Sequence, residues 1–234
     1  MDLEVYIVCH DQEIILQSEQ SNKFRVLPNY RYLFVGDKPI DKILNNEKVI
    51  ICRNLPDNIE KYKYLVSFTA WYALAKNNII KSKYVSILEY DVDLSSDFYE
   101  KNLDVVSRTS GMIGYVVFTM SGPLFLGATP HFYYSLKKVY NIDVQQLTQE
   151  YMQRTGKNSW CSTSNCTLPT ETFYKFIDWF LPLTIEFREE KLGAHVHERC
   201  LKVFAILNNI KTFLIQGVLF HQQIKSHKIE ALLT

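Results

Sequence analysis

Glycine and proline are scarce in this chain of 234 residues, 8 and 7 respectively, which leaves little material for linkers, collagen-like repeats or low-complexity tracts. An excess of either charge is also missing, since 26 Lys and Arg face 25 Asp and Glu. Without a basic block there is no sequence-independent grip on phosphate backbones, so nucleic acid is not an expected partner. Cysteine is sparse and odd in number. Cys9, Cys52, Cys161, Cys166 and Cys200 are spread through apolar segments, which points to reduced thiols in the cytoplasm rather than a disulfide framework. The N-terminus, Met1-Asp2-Leu3-Glu4, lacks the cationic region of a secretory signal. One stretch, 109–136, carries no formal charge, but Gly111, Gly114, Gly122, Pro123, Gly127 and Pro130 interrupt it, and no transmembrane span is expected there.

What is present is an alternation of short apolar runs with helical patterns. Runs at 3–9, 32–35 and 49–52 read as buried strands, each followed by polar turn residues. Leu65, Phe68, Tyr72 and Ala75 then recur at helical spacing up to Asn77-Asn78. A strand at 84–89 leads to Asp91 and Asp93, followed by a Ser95-Ser96-Asp97 turn. Further strands are expected at 115–119 and 124–126, helices at 132–140 and 144–153, and a polar loop over 154–167. Phe173, Phe176, Ile177 and Phe180 mark the apolar face of a helix at 171–181. In a last helix Val196, Cys200, Val203 and Leu207 form the buried stripe, leaving His195, Glu198, Arg199 and Lys202 off it; 213–220 reads as a strand that delivers His221. This order implies an α/β fold, a mostly parallel central sheet flanked by helices, whose ligands bind beyond the carboxyl ends of the strands. No repeat or linker divides it, so 1–234 is expected to be a single domain.

The densest chemistry lies in Glu89-Tyr90-Asp91-Val92-Asp93. Residues two apart in an extended chain face the same way, about 6.5–7 Å apart at Cα, so Asp91 and Asp93 can address one ligand. Two carboxylates repel a diphosphate unless a hard cation, Mg²⁺ or Mn²⁺, lies between them. The plainer alternative is an acidic strand end entering a solvated turn. His195-x-His197 near Cys200 does not make a zinc site, because on a helix those two imidazoles point about 200° apart. The aromatic residues are core by default, with Trp160 and Trp179 the nearest candidates for stacking on a sugar.

Together, Cys9-His10-Asp11, Tyr32-Leu33-Phe34-Val35-Gly36 and Asp91-Val92-Asp93 resemble small nucleotide-sugar glycosyltransferases of the GT-A fold, of the kind found in large DNA viruses and bacterial polysaccharide clusters. Tyr64-x-x-x-Phe68-Thr69, Lys76-Asn77, His197-Glu198-Arg199, Gly217-x-x-x-His221 and Ser226-His227 extend the resemblance in the expected order.

That resemblance implies a metal-dependent transfer of a sugar from a nucleoside-diphosphate sugar, with UDP as the nucleotide, to a hydroxyl of a glycan or glycoprotein. The nucleotide-binding half would be about 1–100 and the acceptor-side half about 101–234, in the cytoplasm, or the host cytoplasm if the chain is viral. Carried over, Asp93 holds Mn²⁺ or Mg²⁺ with Asp91 as its helper, and His10 and Asp11 line the nucleotide pocket with Arg53 near the phosphates or base. His221 is a further metal ligand or an ordinary strand-end histidine, and His227 shares that ambiguity. Glu198 is the general base of an inverting transfer or a surface partner of Lys202. The chain departs from the bacterial pattern at Phe68, where a glutamate is common, which removes any expected role of that helix in sugar selection. Two other classes use the same features: a non-catalytic nucleotide- or carbohydrate-binding module, and a metal-dependent phosphohydrolase or nucleotidyltransferase.

Overall fold

The computed structural model describes residues 2–36, 38–122, 125, 130–189 and 195–221. The N-terminal apolar run forms β1 (Leu3–Cys9), whose side chains divide between two cores as a period of two requires: Tyr6 and Val8 join one, Val5, Ile7 and Cys9 the other. The chain continues through α1 (Gln12–Gln20), β2 (Tyr30–Phe34), α2 (Asp41–Leu44), β3 (Val49–Ile51), α3 (Ser67–Lys76), β4 (Tyr84–Glu89) and β5 (Val92–Leu94). Then come α4 (Phe98–Thr109), β6 (Met112–Thr119), α5 (Pro130–Tyr140), α6 (Val144–Thr155) and β7 (Ser159–Pro169). The C-terminal part adds α7 (Thr170–Phe180), α8 (Val196–Leu207), β8 (Thr212–Leu214) and β9 (Leu219–His221).

Seven strands form one sheet in the order β3-β2-β1-β4-β7-β6-β8. Only β7 runs against its neighbours, so the sheet is mostly parallel, as the sequence pattern implied. On one face α3, α7 and α8 supply Phe68, Trp71, Phe173, Phe176, Phe180 and Phe204 to the first core. On the other, Ile15 of α1 and Phe98 and Val106 of α4 pack in the second. Among the described residues no helix is long and apolar enough to cross a membrane.

Three expectations change. The segment 154–167, expected as a polar loop, contains most of β7, a central strand between β4 and β6. Its buried polar side chains at Ser164, Asn165 and Thr167 are bonded inside the protein: Thr167 Oγ1 donates to Ser86 Oγ at 2.8 Å and meets the Tyr115 hydroxyl at 2.6 Å, Ser164 Oγ lies 2.9 Å from His197 Nε2, and Asn165 Oδ1 accepts from the Glu89 amide at 2.8 Å. Second, the run at 213–220 is two strands. Gly217, at φ +74, breaks it so that β8 joins the main sheet and β9 pairs with β5 in a separate two-stranded sheet. Third, Arg199 and Lys202 are buried, because α8 is covered by β7, α5 and α7; Lys202 Nζ lies 3.5 Å from the Tyr151 hydroxyl, and Arg199 packs over Trp160. Of the strand expected at 124–126, only Phe125 lies within the described residues.

A single carboxylate ties three strands at the start of the sheet. Glu4 Oε1 accepts from the amides of Lys81 and Ser82, both at 2.7 Å, just before β4, while Oε2 accepts from Arg31 of β2 at 3.1 Å and from the Tyr6 hydroxyl. Burial pushes this carboxyl's pKa up, but the Tyr6 and amide hydrogen bonds and the Arg31 charge outweigh it and leave it below the ordinary value. A depressed folded pKa contributes stability above the unfolded value, and that contribution disappears as pH falls through the folded value. Glu4→Gln is therefore expected to cost about 1–3 kcal/mol at pH 7. In urea denaturation the difference from the parent chain should shrink below about pH 4; an equal deficit at both pH values would contradict this role.

Candidate active site

The carboxyl ends of β1, β2 and β3 surround a cavity of about 480 Å³ whose lining includes His10, Gly36, Arg53, Glu60, Lys63 and Thr69. Each enters because its strand or loop stops there. Gly36 is required: its φ is +155°, and a Cβ on it would stand 2.9 Å from the His10 carbonyl oxygen. Val66, also on the wall, takes φ +39°, a strained value for a β-branched residue. Its carbonyl is held by the Thr69 amide at 3.0 Å and the Thr69 hydroxyl at 2.5 Å, which fixes the start of α3. Arg53 Nε and Glu60 Oε2 form an ion pair at 3.6 Å. Burial raises the Glu60 pKa, against the opposing effects of Arg53 and the Gly36 amide.

His10 links this cavity to the aspartates, since its ring meets Tyr90 edge-on at 5.2 Å, one residue before Asp91. The β5–β9 pairing aligns Val92 with His221 and Asp93 with Phe220. It brings His221 Nε2 to 3.5 Å from Asp91 Oδ1, both side chains being about nine-tenths buried. Asp91 Oδ1 and His221 Nδ1 have no hydrogen-bond partner. Beside them Lys23 Nζ donates to the Tyr90 carbonyl at 2.6 Å; burial lowers its pKa, and the Asp93 and Asp91 charges partly restore it. Among the described residues no three of His, Cys, Asp and Glu converge closely enough to hold a metal ion by themselves. The unsatisfied Asp91 oxygen and the adjacent imidazole do fit a Mg²⁺ or Mn²⁺ that takes its remaining ligands from substrate phosphates and water. In that arrangement Asp91 and His221 are brought together, and the Asp93 charge acts on the same Lys23 ammonium beside them.

Behind Asp91 lies a polar cluster that sequence patterns did not reveal as a site. Glu89 is half-buried, accepts from Ser67 Oγ at 2.5 Å, and has its pKa pushed up to about 7. Burial is the main cause; the Asp91 and Glu198 charges add to it, and the Ser67 and Ser164 hydrogen bonds oppose it. Ser164 Oγ lies 2.9 Å from His197 Nε2 and donates to Glu198 Oε1 at 3.3 Å. Glu198, in the first turn of α8, is therefore half-buried and turned toward β7 and Glu89, while Lys202 points to Tyr151 and Thr212. The signal available for Glu89 was an acid two residues before Asp91 at the end of an apolar strand.

The remaining expected residues lie elsewhere. The Asp11 carboxylate caps α1, accepting from the Glu13 amide at 2.9 Å, and does not line the cavity. Trp160 is 1% exposed, and Trp179 stacks on Tyr140 at 5.3 Å and packs against the first core. Ser226 and His227 lie outside the described residues.

No family model matches the chain, and no curated protein matches it in sequence. Its structure is similar to that of the bifunctional glycosyltransferase WbbM in the apo state, with a TM-score of 0.56 and 12% identity over 94% of this chain and 45% of that one. The bifunctional IspDF from Campylobacter jejuni superposes at a TM-score of 0.46 and 9% identity, over 93% of this chain and 50% of that one, too distant to bear on this chain. The chain thus spans half or less of the length of these proteins. At such identity the likeness to WbbM is one of fold, a mixed α/β architecture with a mostly parallel central sheet flanked by helices, as in a GT-A-like glycosyltransferase.

Proposed function

We propose that this chain transfers a sugar from a nucleoside-diphosphate sugar to an acceptor hydroxyl on a glycan or glycoprotein, with Mn²⁺ or Mg²⁺ at the diphosphate. The observation that carries this is the adjacency, across His10 and Tyr90, of a nucleoside-sized cavity and the Asp91–His221 pair. The cavity's Arg53 and Lys63 supply positive charge for an anionic donor, and Asp91 with His221 would hold the cation. When bound, the cation offsets the charge of the diphosphate and of the nucleoside diphosphate as it leaves.

The chain's own groups account for the acceptor side. Glu198 is the group to take the acceptor proton as the bond from the sugar's anomeric carbon to diphosphate oxygen breaks and a bond to acceptor oxygen forms. Ser164 orients that carboxylate by donating to it, and Ser67 holds Glu89 in place beside it.

Two outcomes are expected. In calorimetry with a nucleoside diphosphate, Asp91→Asn and His221→Ala should each weaken Mn²⁺-dependent binding at least roughly tenfold, and a chelator should bring the parent chain to the same level. Affinity indifferent to the chelator would contradict a metal-bridged site. For Glu198→Gln, donor affinity should stay near normal while turnover falls about 10²- to 10⁴-fold. Steady-state kinetics that show turnover within a few-fold of the parent would remove Glu198 as the base.

A further inference from the structure

Away from the strand-end site, α8 buries a cation that no carboxylate meets. Lys202 is 3% exposed, and its ammonium lies 3.4 Å from Thr212 Oγ1, 3.5 Å from the Tyr151 hydroxyl and 4.7 Å from the centre of the Tyr151 ring. An ammonium taken out of water needs an opposite charge, and two long bonds to hydroxyls supply none. Both hydroxyls accept from Lys202, and among the described residues neither has an acceptor for its own proton. Tyr151 and Thr212 line a cavity of about 220 Å³, so Lys202 stands behind a wall to which its two partners belong.

Arg154, Lys157 and Lys211 line the same cavity as exposed residues, and no acid does so among the described residues. None of these three cations, nor Lys202, forms an ion pair with a described residue. Glu150, one turn before Arg154 on α6, lines a neighbouring cavity and accepts from Gln146 Nε2 at 2.9 Å. Cations gathered without a carboxylate repel one another, and a bound anion relieves that repulsion. We propose that this cavity binds a phosphate group, with Arg154, Lys157 and Lys211 at its rim and the Tyr151 and Thr212 hydroxyls donating to it from the Lys202 side. A phosphate group brings about −1.5 to −2 charges and three acceptor oxygens, whereas a carboxylate brings one charge and two oxygens and leaves more of the cluster unmet. The site is separate from the nucleotide cavity, whose cations are Arg53 and Lys63, and it stands whether or not the chain transfers a sugar.

Calorimetry at constant ionic strength with inorganic phosphate, glycerol phosphate and acetate tests this. The chains compared are the parent, Lys202→Met, the triple variant Arg154→Ala, Lys157→Ala, Lys211→Ala, and Arg53→Ala as the control for the nucleotide cavity, each checked for folding by its melting temperature. At least one of the two phosphates is expected to bind the parent ~10-fold or more tighter than acetate, and which of them does so identifies the source as a free ion or an ester. The triple variant, which changes only exposed side chains, should weaken that binding ~10-fold or more, as should Lys202→Met if it folds, while Arg53→Ala changes it less than ~3-fold. The site is overturned if neither phosphate binds or if acetate binds as tightly. It is equally overturned if the triple variant binds like the parent, or if Arg53→Ala alone abolishes binding, which would move the phosphate to the nucleotide cavity.

Discussion

The end of β4 concentrates acidic groups, and much of the site's construction serves to hold them there. Glu89, Asp91 and Asp93 fall within five residues of chain, and Glu198 approaches them from α8. Unrelieved, such a cluster would repel itself and any diphosphate. Each acid receives a different remedy. Glu89 is driven toward its neutral form by burial and secured by Ser67, while Asp91 meets the His221 imidazole. The Lys23 ammonium is anchored on the Tyr90 carbonyl within reach of both aspartates. The strained Val66 belongs to the same construction, because it immediately precedes the Ser67 that bonds Glu89.

The remedies come from distant parts of the chain, and this separates what the sequence discloses from what only the fold does. Short apolar runs disclosed β1, β2 and β4 because strands buried on both faces read as continuous hydrophobic segments, and the half-buried edge strand β3 was disclosed by its own apolar run, Val49-Ile50-Ile51. Asp91 and His221 were legible as polar residues at strand ends. Their contact was not, since it depends on the pairing of β5 with β9 across more than a hundred residues, which no local period encodes. β7 was hidden because Ser164, Asn165 and Thr167 satisfy one another's neighbours in the interior, so polarity misreported exposure. α1 and α4 were hidden for a related reason, as polar side chains cover most of their surface. Glu60 sits in irregular chain before α3, where neither helical nor strand spacing applies. Nothing in its neighbours marks it until the cavity is seen.

The likeness to WbbM gives the architecture and leaves the chemistry to the residues at the strand ends. Those residues divide the site in two. The side of β1–β3 offers a walled cavity with both a carboxylate and cations, suited to a neutral base and an anionic tail. The side of β4, β5 and β9 offers acids with a histidine, suited to a cation and to proton transfer. A phosphohydrolase or nucleotidyltransferase would use the same acids and differ in which bond of the donor is broken.

Mass-spectrometric analysis of the products formed from a panel of nucleoside-diphosphate sugars with Mn²⁺ addresses that difference most directly. Cleavage between the anomeric carbon and the diphosphate oxygen predicts an intact nucleoside diphosphate together with free or transferred sugar. A nucleoside monophosphate with sugar phosphate, or released pyrophosphate, would contradict sugar transfer as the function of this site.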